Sequence, residues 1–273
     1  MIRHLFSTAA VIVTLATPLA AESNAGAYLA GRAAAIQSDY EEAARYFTRA
    51  LARDPRNLEL MESALLANLA LGQIERSLSI ATNLAAANPT SQVADLILTA
   101  KAIQSEDYEA LSNRDPQVQG VVPWIEGLLE AWALMGQGRV SDALDAFDAA
   151  ANERGLQGFA LMQKAMALSM VGDFEGAEAI LASDAIGTAV QTRRGVMARV
   201  EILSQLERND QALDLIQASF GDATDPELDE VIAGLEANER LPFTHVTEVR
   251  DGFADVFFTM GAALQNEAGP EFT

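Results

Sequence analysis

A period of 34 residues is the feature of this chain that most constrains its fold. Aromatic or large apolar residues, prolines and glycines all recur at this interval. The matching sets are Tyr40, Ile74 and Tyr108, then Pro55 and Pro89, then Val140 and Phe174, and then Gly138 and Gly172. One step is irregular, because Tyr108 and Val140 are 32 residues apart. A fixed period of this length predicts an array of similar units that pack only on their neighbours.

The spacing inside each unit predicts helices. Apolar residues three and four positions apart form one stripe along a helix, which stacked helical hairpins can bury and a single hairpin cannot. Hydrophobic residues make up 50% of the chain and aromatic residues only 6%, and alanine, the best helix former, is abundant. Glycines such as Gly72 and Gly172 mark tight turns between helices. Because we find no alternating strand pattern, we expect an all-α fold.

A helical motif recurs within these units. A small residue is followed four positions later by a large apolar one and then by another small residue. The motif reads Ala43, Phe47 and Ala50, then Ala143, Phe147 and Ala150, then Ala177 and Leu181 before a departure at Asp184. Small residues that would lie where helices cross are Gly31, Ala131 and Ala165.

In these residues the chain resembles the tetratricopeptide-repeat family over about residues 24–220. The family's tryptophan and tyrosine in the first helix of each repeat are mostly replaced by alanine or leucine. The resemblance implies a right-handed superhelical solenoid of helical hairpins. It also implies that the first helices line a concave groove that receives peptides or partner subunits.

Residues 107–123 interrupt the period. Residues Ser112 to Pro116 are mostly of types favoured in turns, at the place where the repeat predicts a second helix. We therefore expect that helix to be short or absent. Either a hinge separates two stacks here, or one repeat is shortened without a hinge. The predicted organisation is an N-terminal stack over 22–106, the irregular break over 107–123, a second stack over 124–240 and a further helical segment over 241–273.

The helical segment near the C-terminus has one apolar face. A helix over Gly252–Gln265 would place on one side Phe253, Val256, Phe257, Met260 and Leu264. No polar capping helix follows it, and solenoids usually need one to remain soluble. We therefore expect either that the natural protein continues with further repeats or that it self-associates through this helix.

The first 21 residues are typical of a secretory signal peptide. A short start carries Arg3, a largely apolar run follows from Leu5 to Ala16, and small residues end at Ala21. The apolar run is too short to span a membrane, and no other stretch is long enough. We expect cleavage after Ala20 or Ala21 and an exported protein, periplasmic in a Gram-negative source. An N-terminal lipid anchor is excluded because the chain has no cysteine.

Charge and motif content argue against several functions. The formal net charge of −21 opposes binding to nucleic acids and anionic membrane surfaces. No phosphate-binding glycine loop and no Gly-x-Ser-x-Gly elbow are present. After the signal peptide the only histidine is His245, which we expect to be a surface or packing residue. The acidic turn before Pro226 lacks EF-hand spacing and indicates a helix start. We therefore expect no metal, no cofactor and no catalysis.

Two functional classes remain. The first is a non-enzymatic scaffold that binds an unidentified protein or peptide in the exported compartment. The alternative is the helical N-terminal part of a larger exported enzyme, such as one acting on the cell wall. A gene that ends at Thr273 would favour the scaffold, and a gene that continues would keep the alternative open.

The family resemblance implies which residues face the groove. They are first-helix residues that do not pack between helices, and methionines recur among them at four-residue steps on one helix. The set is Tyr28, Arg32, Leu128, Trp132, Met135, Met162, Met166, Met170 and Met197. We expect this stripe to receive an apolar or amphipathic peptide segment. The alternative is that the stripe is ordinary core, since methionine is also a routine core filler.

Overall fold

The computed structural model describes residues 24–114, 120, 125–221 and 225–268. The predicted signal peptide over residues 1–21 lies outside these residues, as does most of the predicted break after Arg114. All secondary structure in the described part is helical, which confirms the all-α fold class. No helix within the described ranges combines the length and the apolar character needed to cross a membrane.

The helices alternate along the chain between the first-helix and second-helix positions of the predicted repeat. The first helices are α1 (Asn24–Ile36), α3 (Leu58–Ala70), α5 (Gln92–Gln104), α7 (Glu126–Gly136), α9 (Gln157–Met170), α11 (Arg193–Gln205) and α13 (Pro226–Glu236). The second helices are α2 (Tyr40–Leu51), α4 (Ile74–Ala87), α6 (Tyr108–Ser112), α8 (Val140–Ala151), α10 (Phe174–Leu181) and α12 (Asn209–Phe220). A 3-10 helix, Asp184–Gln191, precedes α11, and α14 (Val249–Ala268) follows an irregular segment.

Polar side chains set where many of these helices begin. Asp39, Asp107 and Asp173 precede second helices, and Asn57 and Ser91 precede first helices. Each side chain accepts a hydrogen bond from the backbone N–H three residues later. Such caps satisfy donors that the first turn of a helix leaves free. The period seen in the sequence therefore includes helix starts as well as apolar positions.

The 34-residue period also appears in the backbone as a recurring left-handed residue. A residue with positive φ follows the end of each of the seven first helices, where the chain turns into the next element. These residues are Ser38, Gly72, Glu106, Gly138, Gly172, Glu207 and Asn238. Glycine adopts this conformation without strain, and in the first, third, sixth and seventh turns other residues take the same place.

The predicted second-helix motif lies in the core. Ala43, Phe47 and Ala50 are buried on α2, and the corresponding residues of α8 and α10 are buried as well. On α1, Gly31 lies so close to the Phe47 ring that a methyl group at Gly31 would collide with it. Small residues at helix crossings are confirmed, because Ala131 on α7 and Ala165 on α9 are fully buried.

The chain divides into two compact units, one ending at Gly72 and the other beginning at Gln73. The first contains α1 to α3, and the second contains α4 to α14. The predicted break over 107–123 therefore falls inside the second unit rather than between units. In it, α6 has only five residues, Tyr108–Ser112, which confirms the expectation of a short second helix.

A buried arginine joins the helices on either side of this break. The Arg114 guanidinium is 3.0 Å from Asp95 on α5 and 2.7 Å from Glu126 on α7, and its side chain is 11% exposed. It also donates a hydrogen bond to Thr99. Burial raises the pKa of Asp95 even though the nearby Arg114 charge opposes this rise. The charged cluster thus links α5 to α7 beside the short helix α6.

The acidic turn before α13 is a helix start, as predicted. Asp225 caps the helix by accepting a hydrogen bond from the Leu228 N–H, and Pro226 occupies the first turn. That hydrogen bond, together with the ion pair to Arg193, lowers the pKa of the Asp225 carboxyl. Residues 222–224 of the same turn lie outside the described part of the chain.

Candidate functional site

The C-terminal helix α14 lies across the first helices of the second unit. It packs mainly against α7 and α9. A Cβ atom on Gly252 would overlap the Trp132 indole, so the backbone of α14 touches this ring directly. Phe253 and Val256 are fully buried, and the Phe253 ring stacks on Tyr108 with centroids 6.2 Å apart. Of the apolar face predicted for this helix, Phe253 and Val256 are thus covered by the chain's own helices, and Phe257 and Met260 are half-buried. The side chain of Leu264 lies outside the described part of the structure.

A buried polar chain fixes the position of α14. The Trp132 indole N–H donates to the Gln163 side-chain oxygen at 2.8 Å. The Gln163 amide then donates to Asp255 at 2.7 Å, and Arg194 donates to the other Asp255 oxygen at 2.6 Å. Both carboxylate oxygens of Asp255 are therefore paired, as a buried charge requires. The chain links α7, α9, α11 and α14.

The segment before α14 is held by Glu201 on α11. Its carboxylate accepts hydrogen bonds from the Thr244 N–H and hydroxyl, both at 2.8 Å. It also lies 3.0 Å from the His245 Nδ1 atom. The side chains of His245 and Glu201 are 11% and 13% exposed. His245 is therefore a packing residue with a carboxylate partner, in agreement with the sequence analysis.

Most residues predicted to line an open groove in the second unit lie in the core. Leu128 and Trp132 are fully buried, and Met135, Met166 and Met197 are nearly so. The first four pack within the main cluster of the unit, whereas Met197 belongs to a second cluster formed with α12 and α13. Helix α14 covers the surface of α7 and α9 that the repeat pattern would leave open, whereas α12 and α13 bury Met197. Met162 and Met170 are half-buried beside it.

A cavity of about 660 Å³ remains between α9, α11, the 3-10 helix and α14. Its apolar walls include Phe159, Met162, Met166, Phe258 and Met260. Of the predicted residues, the structure thus brings Met162 and Met166 together in one site. The polar lining residues are Arg154, Thr192, Arg194, His245, Asp255 and Thr259.

The first-helix surface of the N-terminal unit is open. Tyr28 is half-buried and Arg32 is exposed, and the Arg32 guanidinium lies 5.8 Å from the centre of the Tyr28 ring. On the same helix, Leu29 and Ile36 are 62% and 80% exposed. Because they are seven residues apart, these two side chains project from the same side of α1. Exposed apolar side chains on one side of a helix are typical of a surface that binds another chain.

Helix α3 contributes to the same unit. The Tyr28 hydroxyl donates a hydrogen bond to Glu59 on α3. This bond raises the pKa of Tyr28, since a phenolate could not donate it. Leu66 lies two turns after Glu59 on α3 and is 53% exposed. Tyr28, Arg32, Leu29, Ile36 and Leu66 are hereafter called the N-terminal face.

The structure shows functional candidates that the sequence analysis did not single out. Arg154, Arg194 and Phe258 line the cavity, and Leu29 and Ile36 lie on the N-terminal face. The seven-residue spacing of Leu29 and Ile36 could have indicated that both side chains lie on one side of a helix. Nothing in the repeat pattern indicated that Phe258 of α14 and Arg154 would line the same cavity.

No group of three or more potential metal ligands occurs among the described residues. No protein-family model matches the chain, and no curated protein is significantly similar to it.

Proposed function

We propose that the protein is a non-enzymatic scaffold that binds another protein through its N-terminal face. Support comes chiefly from one observation: Leu29 and Ile36 remain more than half exposed on a helix that is otherwise part of a packed array. Hiding such side chains from water on binding would contribute favourably to association. The occupant that fits best is an apolar or amphipathic segment of the partner protein.

The repeat pattern supports a wider proposal. The 34-residue recurrence of helix starts and left-handed residues agrees with the arrangement of a tetratricopeptide-repeat solenoid with a right-handed superhelical course. The signal-like residues 1–21 support an exported, periplasmic location in a Gram-negative source. Expression with the natural N-terminus in such a host, followed by mass spectrometry, tests the location. A cytoplasmic product that keeps Met1 would contradict it.

Differential capture tests the binding proposal. The double variant Leu29→Gln, Ile36→Gln should lose the partner that the wild-type protein captures after crosslinking in the native compartment. Val171→Gln is the matched control, because Val171 is a 47% exposed apolar residue in the second unit. Equal capture by the double variant and this control would refute the N-terminal face as the binding surface. Unaltered circular dichroism of all proteins would show that folding is not the cause.

A further inference from the structure

The cavity between α9, α11 and α14 has the size and lining of a ligand site. Its volume of about 660 Å³ lies within the range of roughly 300–1,000 Å³ that is common for small-molecule pockets. Such pockets combine mostly apolar walls with a few polar groups. Here Phe159, Met162, Met166 and Met260 supply apolar walls. Methionine adapts its shape to flexible apolar ligands because it is unbranched and polarizable.

The aromatic side chain of Phe258 lines the same cavity although it is 67% exposed to solvent. Its neighbours on α14, Phe253 and Val256, are fully buried. An exposed phenylalanine beside an apolar opening would gain burial if a ligand occupied the opening. This places the entrance of the cavity near Phe258.

The charge at the cavity is unlike that of the rest of the unit. Within the described residues from Gln73 onward, every lysine and arginine except Arg154 has a side-chain partner in a hydrogen bond or ion pair. Arg154 is exposed and has neither in this part of the chain. In a chain with a net charge of −21, acidic partners are abundant, yet this arginine at the cavity has none.

The other charges at the cavity balance each other. Asp255 is 5% exposed and pairs with Arg194, so neither leaves an unmatched charge. The Arg154 guanidinium therefore gives the cavity an excess positive charge beside an apolar interior. A guanidinium presents a planar fork of donors that matches a carboxylate. The complementary ligand has an apolar body and one anionic head.

We infer that the cavity binds a single-chain anionic amphiphile of the long-chain carboxylate class, with its carboxylate at Arg154 and its hydrocarbon chain between Met162, Met166 and Phe258. This site is separate from the N-terminal face, and the inference does not depend on the proposed function. A cationic amphiphile would meet Arg154 with repulsion, and an uncharged one would leave Arg154 without a counterion.

Titration calorimetry with three amphiphiles of equal chain length tests the inference. Dodecanoate should bind the purified protein saturably with one ligand per chain. Dodecanol and dodecyltrimethylammonium should bind about two- to fivefold more weakly, as the loss of an exposed ion pair implies. In Arg154→Gln the preference for dodecanoate over dodecanol should disappear.

Two controls separate the site from nonspecific effects. Arg139→Gln removes the 54% exposed arginine that directly precedes α8 and should leave all three affinities unchanged. Ala262→Trp places a large ring at an exposed position that lines the cavity and should abolish dodecanoate binding. Ala149→Trp, at an exposed position of α8, should not affect it.

Several outcomes would overturn the inference. They are absence of saturable dodecanoate binding, equal binding of all three amphiphiles, and equal losses in the two arginine variants. Unchanged binding in Ala262→Trp would place the ligand elsewhere.

Discussion

The first helices of the two units carry similar apolar residues but present different surfaces. In the N-terminal unit, Leu29 and Ile36 on α1 remain exposed. In the second unit, Trp132 and Met166 on α7 and α9 are buried, and α14 lies against both helices. The comparison shows that a repeat pattern determines which residues share a face. Whether that face is surface or core depends on a helix outside the repeat.

The largest expected change in stability follows from removing the buried ring of Phe253 on α14. Phe253→Ala should reduce the free energy of unfolding of the second unit by about 3–5 kcal/mol, because it removes a fully buried ring. Urea unfolding followed by tryptophan fluorescence measures this, since both tryptophans of the chain fall after Gln73. Phe258→Ala, at 67% exposure, is the control and should change little. Equal effects of the two variants would mean that α14 is not docked as described.

The second-largest expected change in stability distinguishes a core position from a groove position on α9. Met166→Gln should cost about 2–4 kcal/mol, because a nearly fully buried apolar side chain is replaced by a polar one. Met170→Gln should cost less, since Met170 is half-buried. Thermal unfolding of both variants provides the measurement. If Met166→Gln is as stable as the wild-type protein, Met166 lines an open groove rather than the core.

A smaller effect concerns the close approach of α14 to α7. Gly252→Ala should destabilise the protein by about 1–3 kcal/mol, because the added methyl group overlaps the Trp132 ring. Gly261→Ala lies on the same helix with open space around it. It should be neutral or stabilising by roughly 0.5–1 kcal/mol, since alanine favours a helix over glycine. If both variants behave alike, the contact between Gly252 and Trp132 does not exist in solution.

The smallest effect is expected in the N-terminal unit. Ile36→Gln should change the free energy of unfolding by no more than about 0.5 kcal/mol, as is usual for surface substitutions. Thermal unfolding by circular dichroism checks this value. A cost comparable with that of Met166→Gln would show that the N-terminal face is covered in solution, as the corresponding face of the second unit is.

Local features of the fold were predictable from the sequence because their causes are local. Helix periodicity, the caps at Asp39 and Asp173, and the short α6 after Tyr108 all depend on residues within one or two turns. Tight turns were predicted where glycine occupies them, as at Gly172, and this residue has a positive φ. At Glu106 and Glu207 the same conformation occurs without glycine, so composition gave no sign of it.

The covering of the second unit was not predictable by the same reasoning. Trp132 and Met166 fit a groove as well as a core, since both environments favour large apolar side chains. Contacts between residues far apart in the chain, such as Gln163 with Asp255, determine which of these two environments the side chains occupy. A one-sided apolar helix that contains Gly252 and Asp255 is compatible with docking. Period and spacing alone do not say where it docks.

The contact between Gln163 and Asp255 also has a consequence for synthesis on the ribosome. The two residues are 92 positions apart. At about 5–20 residues per second, α9 leaves the ribosome roughly 5–20 s before its partner on α14 does. During that interval Trp132 and Gln163 have no covering helix, although the hairpins around them can already form. The nascent chain thus passes through a stage at which its local structure is complete and an apolar surface is open to chaperones or to aggregation.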